Sequence, residues 1–177
     1  MKLITPNLVL REFREDDYEA LREIDSDPEV ARYERPVSSE SETRTKLAWF
    51  INDRPGVSPT HQRFAITTLS DDRARGWITL KLNNSDIREY EIGWTVRRAD
   101  WGKGYAPEAA AEVLRYAFKD LNAHRVVAFC HAENAASVRV MEKLGMQREG
   151  CLRETRRLND EWCNELVYAI LEREFSG

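Results

Sequence analysis

The spacing of apolar positions changes several times along the chain, and each change marks an element. Leu8-Val9-Leu10-Arg11 reads as a short strand. Glu15-Asp16-Asp17 supplies acidic residues suited to a helix N-terminus, and Tyr18, Leu21 and Ile24 then recur on one face. Pro28 breaks that helix. A turn through Val30 and Tyr33 leads to Pro36-Val37-Ser38-Ser39, after which Thr43, Leu47, Phe50 and Ile51 mark a second helix, closed by Arg54-Pro55-Gly56. From there the pattern alternates. Residues 64–68, 77–80 and 89–96 read as three strands, with turns at Asp71-Asp72 and Asn83-Asn84-Ser85-Asp86. Helical spacing returns over Ala106, Ala109, Ala110, Val113, Leu114, Ala117 and Leu121. Residues 126–130 form an apolar strand, Asn134 reads as the N-cap of a helix carrying Val138, Met141 and Leu144, and Gly145 stops it. Two strands near 147–158 and 161–171 end the chain, joined by Asn159-Asp160. The order predicts one α/β domain over residues 1–177, its core at about 8–172, with a mixed sheet of about seven strands and about four helices.

Composition narrows the function classes. A chain of 177 residues buries a real core. Its net charge of −4 argues against a nucleic-acid partner held by many phosphate contacts. No apolar run approaches the about 20 residues that cross a bilayer, and MKLITPNLVLREF lacks the character of a signal peptide, so no membrane is expected. Cys130, Cys151 and Cys163 show no paired framework, which suggests reduced thiols in a cytoplasm. His61, His124 and His131 have no metal-ligand spacing, and no metal is expected. Cys130 and His131 are adjacent in a strand and point to opposite faces, a poor nucleophile and base.

The stretch WGKGYAPEA, residues 101–109, holds the sequence's main chemical signal. It lacks the spacing of a Walker loop, and the third glycine of a dinucleotide fingerprint is missing after Gly104. Two readings remain. Gly102 and Gly104 serve a tight strand-to-helix connection with Lys103 solvated, or the loop presents unpaired N–H groups at a helix N-terminus to an anion. On the second reading the small residues admit a phosphate to the backbone and Lys103 adds charge.

YEIGWTVRRADWGKGYAPEAAAEVLRYAF, followed by ENAASVRVMEKLGMQREG, resembles the GCN5-related N-acetyltransferases. The likeness is nearest to the branch that acetylates ribosomal-protein N-termini, the RimJ/RimL-like group, and runs from TPNLVLREF to WCNELVYAILEREF. The family loop [QR]-x-x-G-x-[GA] is matched by Trp101-Gly102-Lys103-Gly104-Tyr105-Ala106 except at its first position, where Trp101 stands. The resemblance implies a mostly antiparallel twisted sheet with a splayed central cleft. It also implies a site for acetyl-coenzyme A, with the pyrophosphate on the amides of Gly102 to Ala106 and the pantetheine arm on the strand edge at Trp94, Thr95 and Val96.

Direct acetyl transfer to an amine needs a neutral amine, a polarised thioester and help for the leaving thiolate. Glu91, acting through a water, is the candidate base, against a water chain alone or the plainer reading of a solvated strand carboxylate; Glu89 is the alternative. Many family members carry a tyrosine seven residues after the motif asparagine, where this chain has Met141. The RimJ/RimL-like resemblance assigns the thiolate to Ser137 instead, with Asn134 capping the helix and bonding the pantetheine. Lys143 could reach a coenzyme phosphate, with a surface lysine late in a helix as the plainer reading. The expected partners are acetyl-coenzyme A and an amine acceptor, either a protein N-terminus or a small molecule such as a polyamine. A coenzyme-binding sensor with little catalysis is the rival of another class. The family likeness leaves a monomer or a homodimer.

Overall fold

The computed structural model describes every residue except Gly56, Val57, Pro59 and Gly177, so part of the expected Arg54-Pro55-Gly56 terminator lies outside the described residues. The elements run β1 (Lys2–Ile4), β2 (Leu8–Arg11), α1 (Tyr18–Asp25), α2 (Pro28–Ala31), α3 (Glu40–Asn52), β3 (His61–Thr68), β4 (Asp71–Asn84) and β5 (Glu89–Val96). After these come α4 (Tyr105–Lys119), β6 (Arg125–His131), α5 (Ala135–Lys143), β7 (Gln147–Leu158) and β8 (Glu161–Leu171). The described strands form one eight-stranded sheet in the order β1-β2-β3-β4-β5-β6-β8-β7. Every neighbouring pair is antiparallel except β5 and β6.

The sheet has one strand and the chain one helix more than the sequence pattern predicts. β1 is the added strand, paired with β2 from Lys2↔Arg11 to Ile4↔Val9. α2 is the added helix. Pro28 does not merely break α1; it opens α2, whose N-cap Asp27 accepts the Glu29 N–H at 2.8 Å. Proline costs nothing there, because first-turn N–H groups have no partner within the helix. The turn expected at Asp71-Asp72 falls instead at Leu69-Ser70. Asp71 pairs with Thr68, and Asp72 accepts the Arg11 Nε–H at 2.7 Å.

Strand alternation sorts the core into two. Ile92 and Val96 of β5 join Leu8, Phe64, Ile78 and Leu80 beneath Ala110, Val113 and Leu114 of α4 and Met141 of α5. On the opposite face Leu21 of α1, with Leu47 and Phe50 of α3, covers Ala65 and Ala74. That second cover stops over the first half of the sheet. Phe129 of β6 and Leu152 of β7 lie on the same side beyond it, each 40% exposed.

β5 and β6 pair at only three positions, Glu89↔Arg125, Tyr90↔Val126 and Glu91↔Val127. Beyond them β5 stays on β4 as far as Val96, while β6 stays on β8 as far as His131. The two parallel strands therefore separate, and a cleft opens in the middle of the sheet. The functional site is built around it.

Candidate active site

Asp100 tightens the turn that closes β5. It is buried and bonds the guanidinium of Arg97, Arg75 at 3.4 Å and the Lys103 ammonium at 2.7 Å. These cations hold its carboxyl below the usual range, against the opposing effect of burial. Gly102 and Gly104 follow at φ of +79° and +82°, a left-handed backbone that glycine alone adopts freely. Gly104 is also the N-cap of α4, and among the described residues none of the N–H groups from Gly102 to Ala106 has an acceptor. A Cβ added at either glycine meets nothing within 4 Å, so the loop faces open space. Glu108, pinned by Thr5 at 2.5 Å and by the Asn7 N–H at 2.8 Å, fixes the start of the helix.

The β5 edge is the second component. The Arg97 N–H donates to the Arg75 carbonyl on the β4 side at 2.8 Å. Alternation then turns the N–H and C=O groups of Trp94 and Val96 to the other edge, where β6 has departed. The Val96 carbonyl accepts the Trp101 indole N–H at 2.7 Å. Thr95 is different. Its backbone faces β4, and its hydroxyl lies 3.2 Å from each carboxylate oxygen of Glu34.

From α5, the Asn134 side chain accepts the Ser137 N–H at 3.1 Å, as a helix cap does. The Ser137 hydroxyl has no partner among the described residues and lines the cleft. Met141, at the family tyrosine position, is 1% exposed and belongs to the core. Arg139 and Lys143, four residues apart on the helix, line the cleft with no carboxylate within ion-pair distance among the described residues. The cavity measures about 490 Å³ and draws in Trp94, Thr95, Val96, the Trp101–Pro107 turn apart from Lys103, and the Glu29–Glu34 segment apart from Ala31.

Several sequence expectations are displaced. Glu91 does not line the cavity; it lies 3.8 Å from Lys81, its cross-strand partner on β4. Glu89 bonds Arg125 at 2.8 Å. Lys103 is engaged by Asp100 and points no charge into the cleft. Lys143 does line it, the less plain of the two sequence readings. Its helical spacing from Arg139 is a signal the sequence offers.

Glu34 had no such signal. The tail of α2 brings it to β5, and β7 holds it there. Between Leu152↔Glu165 and Arg156↔Cys163 the β7 strand carries two more residues than β8, bulging at Glu154, whose φ is +53°. The bulge re-aims Arg156, which donates to the Tyr33 carbonyl at 2.5 Å and the Glu34 carbonyl at 3.4 Å. Tyr33 packs on His131 of β6 with ring centroids 5.2 Å apart. Burial pushes the Glu34 carboxyl up, against the lowering pull of Thr95, Arg35, Lys46 and Arg156. Burial likewise raises the Cys130 thiol to about 11, so Cys130 stays protonated near neutral pH.

A run of free amides at a helix N-terminus, an unpaired strand edge, a free hydroxyl and two unpaired cations around one cleft suit a long anionic thioester with an amide-bearing arm. Comparison with known proteins agrees. The model for the acetyltransferase (GNAT) domain matches residues 7–147, and the chain belongs to this family. It is an N-acetyltransferase, and acetyl-coenzyme A is its acetyl donor. It is similar to the uncharacterized N-acetyltransferase YnaD of Bacillus subtilis, at 36% identity over 99% of this chain and 100% of YnaD. A GNAT-family acetyltransferase structure from Bacillus anthracis is 35% identical, with a TM-score of 0.88 over 98% of this chain and 100% of that one. Two more distant structures share the fold. The spermidine N-acetyltransferase of Vibrio cholerae, in complex with coenzyme A and spermine, is 23% identical, with a TM-score of 0.82 over 98% of this chain and 100% of that one. RimL, a ribosomal L7/L12 α-N-protein acetyltransferase in complex with coenzyme A, is 18% identical, with a TM-score of 0.82 over 96% of each chain.

Among the described residues no helix is long and apolar enough to cross a membrane, and no group of three or more His, Cys, Asp or Glu is placed to hold a metal.

Proposed function

We propose that the acceptor is a single primary amine at a peptide or protein N-terminus, as in the RimJ/RimL-like branch. One observation carries this reading: of the three carboxylates that line the cleft, Glu29, Glu34 and Asp100, two are matched by cations. Glu29 lies 3.8 Å from Arg32, while Asp100 has three cationic partners. Glu34 has none within 4 Å among the described residues. A polyamine carries several charges along its length and calls for several unmatched carboxylates. One unmatched carboxylate suits one ammonium. The half-exposed Phe129 and Leu152, on the uncovered side of the sheet, offer an apolar floor for the residues that follow an N-terminus.

The residues divide the work along the cleft. The amides from Gly102 to Ala106 would hold the pyrophosphate, with Arg139 and Lys143 adding charge. Trp94 through its N–H and C=O, and Val96 through its N–H, would bond the pantetheine arm, and the Ser137 hydroxyl would donate a hydrogen bond to the sulfur. Acetyl-coenzyme A supplies an acetyl thioester: as the neutral amine nitrogen bonds the carbonyl carbon and gives up one proton, the C–S bond breaks, and the sulfur leaves with the electron pair and takes up a proton in exchange.

The test is thiol release and acceptor mass with acetyl-coenzyme A against short peptides with free N-termini, their N-blocked counterparts and polyamines. Acetylation of free N-termini is the expected result. Preference for polyamines overturns the acceptor class, and tight coenzyme binding without transfer to any amine supports the sensor.

A further inference from the structure

We infer that Glu34 is the proton acceptor for the incoming amine, with Thr95 as its positioning residue. The inference rests on the acetyltransferase reading of the cleft and deepens it. The carboxylate lines the same cavity as Val96 and Ser137, beside the point where the strand edge becomes free. Its only side-chain hydrogen-bond partner among the described residues is the Thr95 hydroxyl, 3.2 Å from each oxygen. One hydroxyl hydrogen serves one oxygen at a time, so lone pairs remain open for an N–H donor.

The surrounding charges are organised to leave it so. Arg35, next in sequence, and Lys46 of α3 both bond Asp25 of α1, at 2.6 and 2.7 Å. Asp25 is fully buried and draws these two cations toward itself. Arg156 of β7 reaches the Glu34 backbone carbonyl and lies 3.6 Å from Glu165 of β8. On α2, Arg32 faces Glu29. From β6, His131 packs on the Tyr33 ring. Among the described residues no cation lies within 4 Å of the Glu34 carboxylate, and Arg156 holds its backbone. Burial raises the carboxyl above the ordinary glutamate range, toward the pH at which a general base works best.

The step is a proton transfer. The ammonium gives one proton to the Glu34 carboxylate, leaving a neutral amine with its lone pair free and a carboxylic acid bonded to Thr95. Glu91, engaged with Lys81 outside the cavity, is not placed for this exchange.

Two measurements test it. In the first, the Glu34 carboxyl is titrated by carbon NMR in glutamate-labelled protein, with Glu34→Gln assigning the signal. It should titrate above ordinary glutamates, and higher still in Thr95→Val. In the second, kcat/KM is followed against pH with a primary amine that the wild type acetylates. Glu34→Gln should lose about 100-fold or more, while the coenzyme Kd stays within about twofold. The deficit should shrink as pH passes the amine's own pKa, where the acceptor arrives neutral. An ordinary Glu34 titration, or a Glu34→Gln profile superimposable on wild type, overturns the inference. The titration needs no acceptor and the rate comparison accepts any primary amine, so an error in acceptor class leaves both standing.

Discussion

Gly76 of β4 lies opposite Val96 of β5, and a Cβ at Gly76 would sit 2.3 Å from the Thr95 carbonyl oxygen. The obstacle is backbone, which cannot swing aside as a side chain does. Gly76→Ala therefore pushes apart the two strands at the end of β5 that shapes the cleft. Overpacking of this kind costs about 1–3 kcal/mol, and each kcal/mol lowers the Tm of a chain this size by about 2–4 °C. A thermal melt and a coenzyme titration should both register the change.

Gly104→Val acts elsewhere. A Cβ there meets no protein atom within 4 Å, but the residue must adopt a φ of +82° and its side chain would stand in the space before the free amides. The left-handed backbone costs roughly 1–2 kcal/mol, so the fold should survive. Coenzyme affinity should fall by at least about tenfold, the equivalent of about 1.4 kcal/mol. Calorimetric titration reads it directly, and unchanged affinity would remove the loop from the binding site.

Ser137→Ala removes a hydroxyl that has no partner among the described residues, so stability should hardly change. Loss of one hydrogen bond of about 1 kcal/mol, felt as charge develops on sulfur, predicts a five- to tenfold drop in kcat, approximately. Coenzyme Kd should be nearly preserved. A loss expressed in Kd alone would make Ser137 a binding contact.

Glu91→Gln should be mild. Its pairing with Lys81 is long and largely exposed, and such pairs contribute about 0–1 kcal/mol. Turnover within about twofold and an unchanged pH–rate profile are expected. A lost acidic limb would return the base to this strand.

Glu34 also leaves a mark on stability. Its carboxyl titrates above the ordinary glutamate value of 4.5 in the folded protein, so the fold retains a proton that the unfolded chain has released. Stability therefore falls as pH rises from the ordinary value through the raised one, and the deficit is complete above both. Glu34→Gln carries no such deficit. Its Tm should exceed wild type above both values, and the two should converge as pH falls below the ordinary one. Parallel melts across that range check the sign. A residue whose removal stabilises the protein while reducing turnover is held in place for chemistry.

Where local pattern governs, the sequence was readable. The alternation in β3 to β5 and the apolar stripe of α4 mark buried faces, and Gly102 and Gly104 announce a backbone that other residues resist. β1 is too short to display a period, and α2 follows α1 so closely that Pro28 reads as a stop. The site was less legible for a different reason. Thr95 and Glu34 are brought together by the turn that follows α2, and Arg156 is aimed by a two-residue surplus in β7 that no composition signal marks. Lys143 illustrates the same limit in reverse: one lysine looks alike on an open surface and at the mouth of a cleft.

The splay of β5 from β6 is bounded at both ends. Three residue pairs join the strands at one end. At the other, Thr95 touches Glu34, and Arg156 ties that segment back to β7 on the far half of the sheet. The opening is thus an eyelet with a closed rim, unlike a jaw that widens freely. A slender arm passes through such a ring while a bulky group stays outside, and the rim sets how far the reactive end can travel. The donor's reach is gauged by the protein's own stitching, from Glu91 at one end to Arg156 at the other.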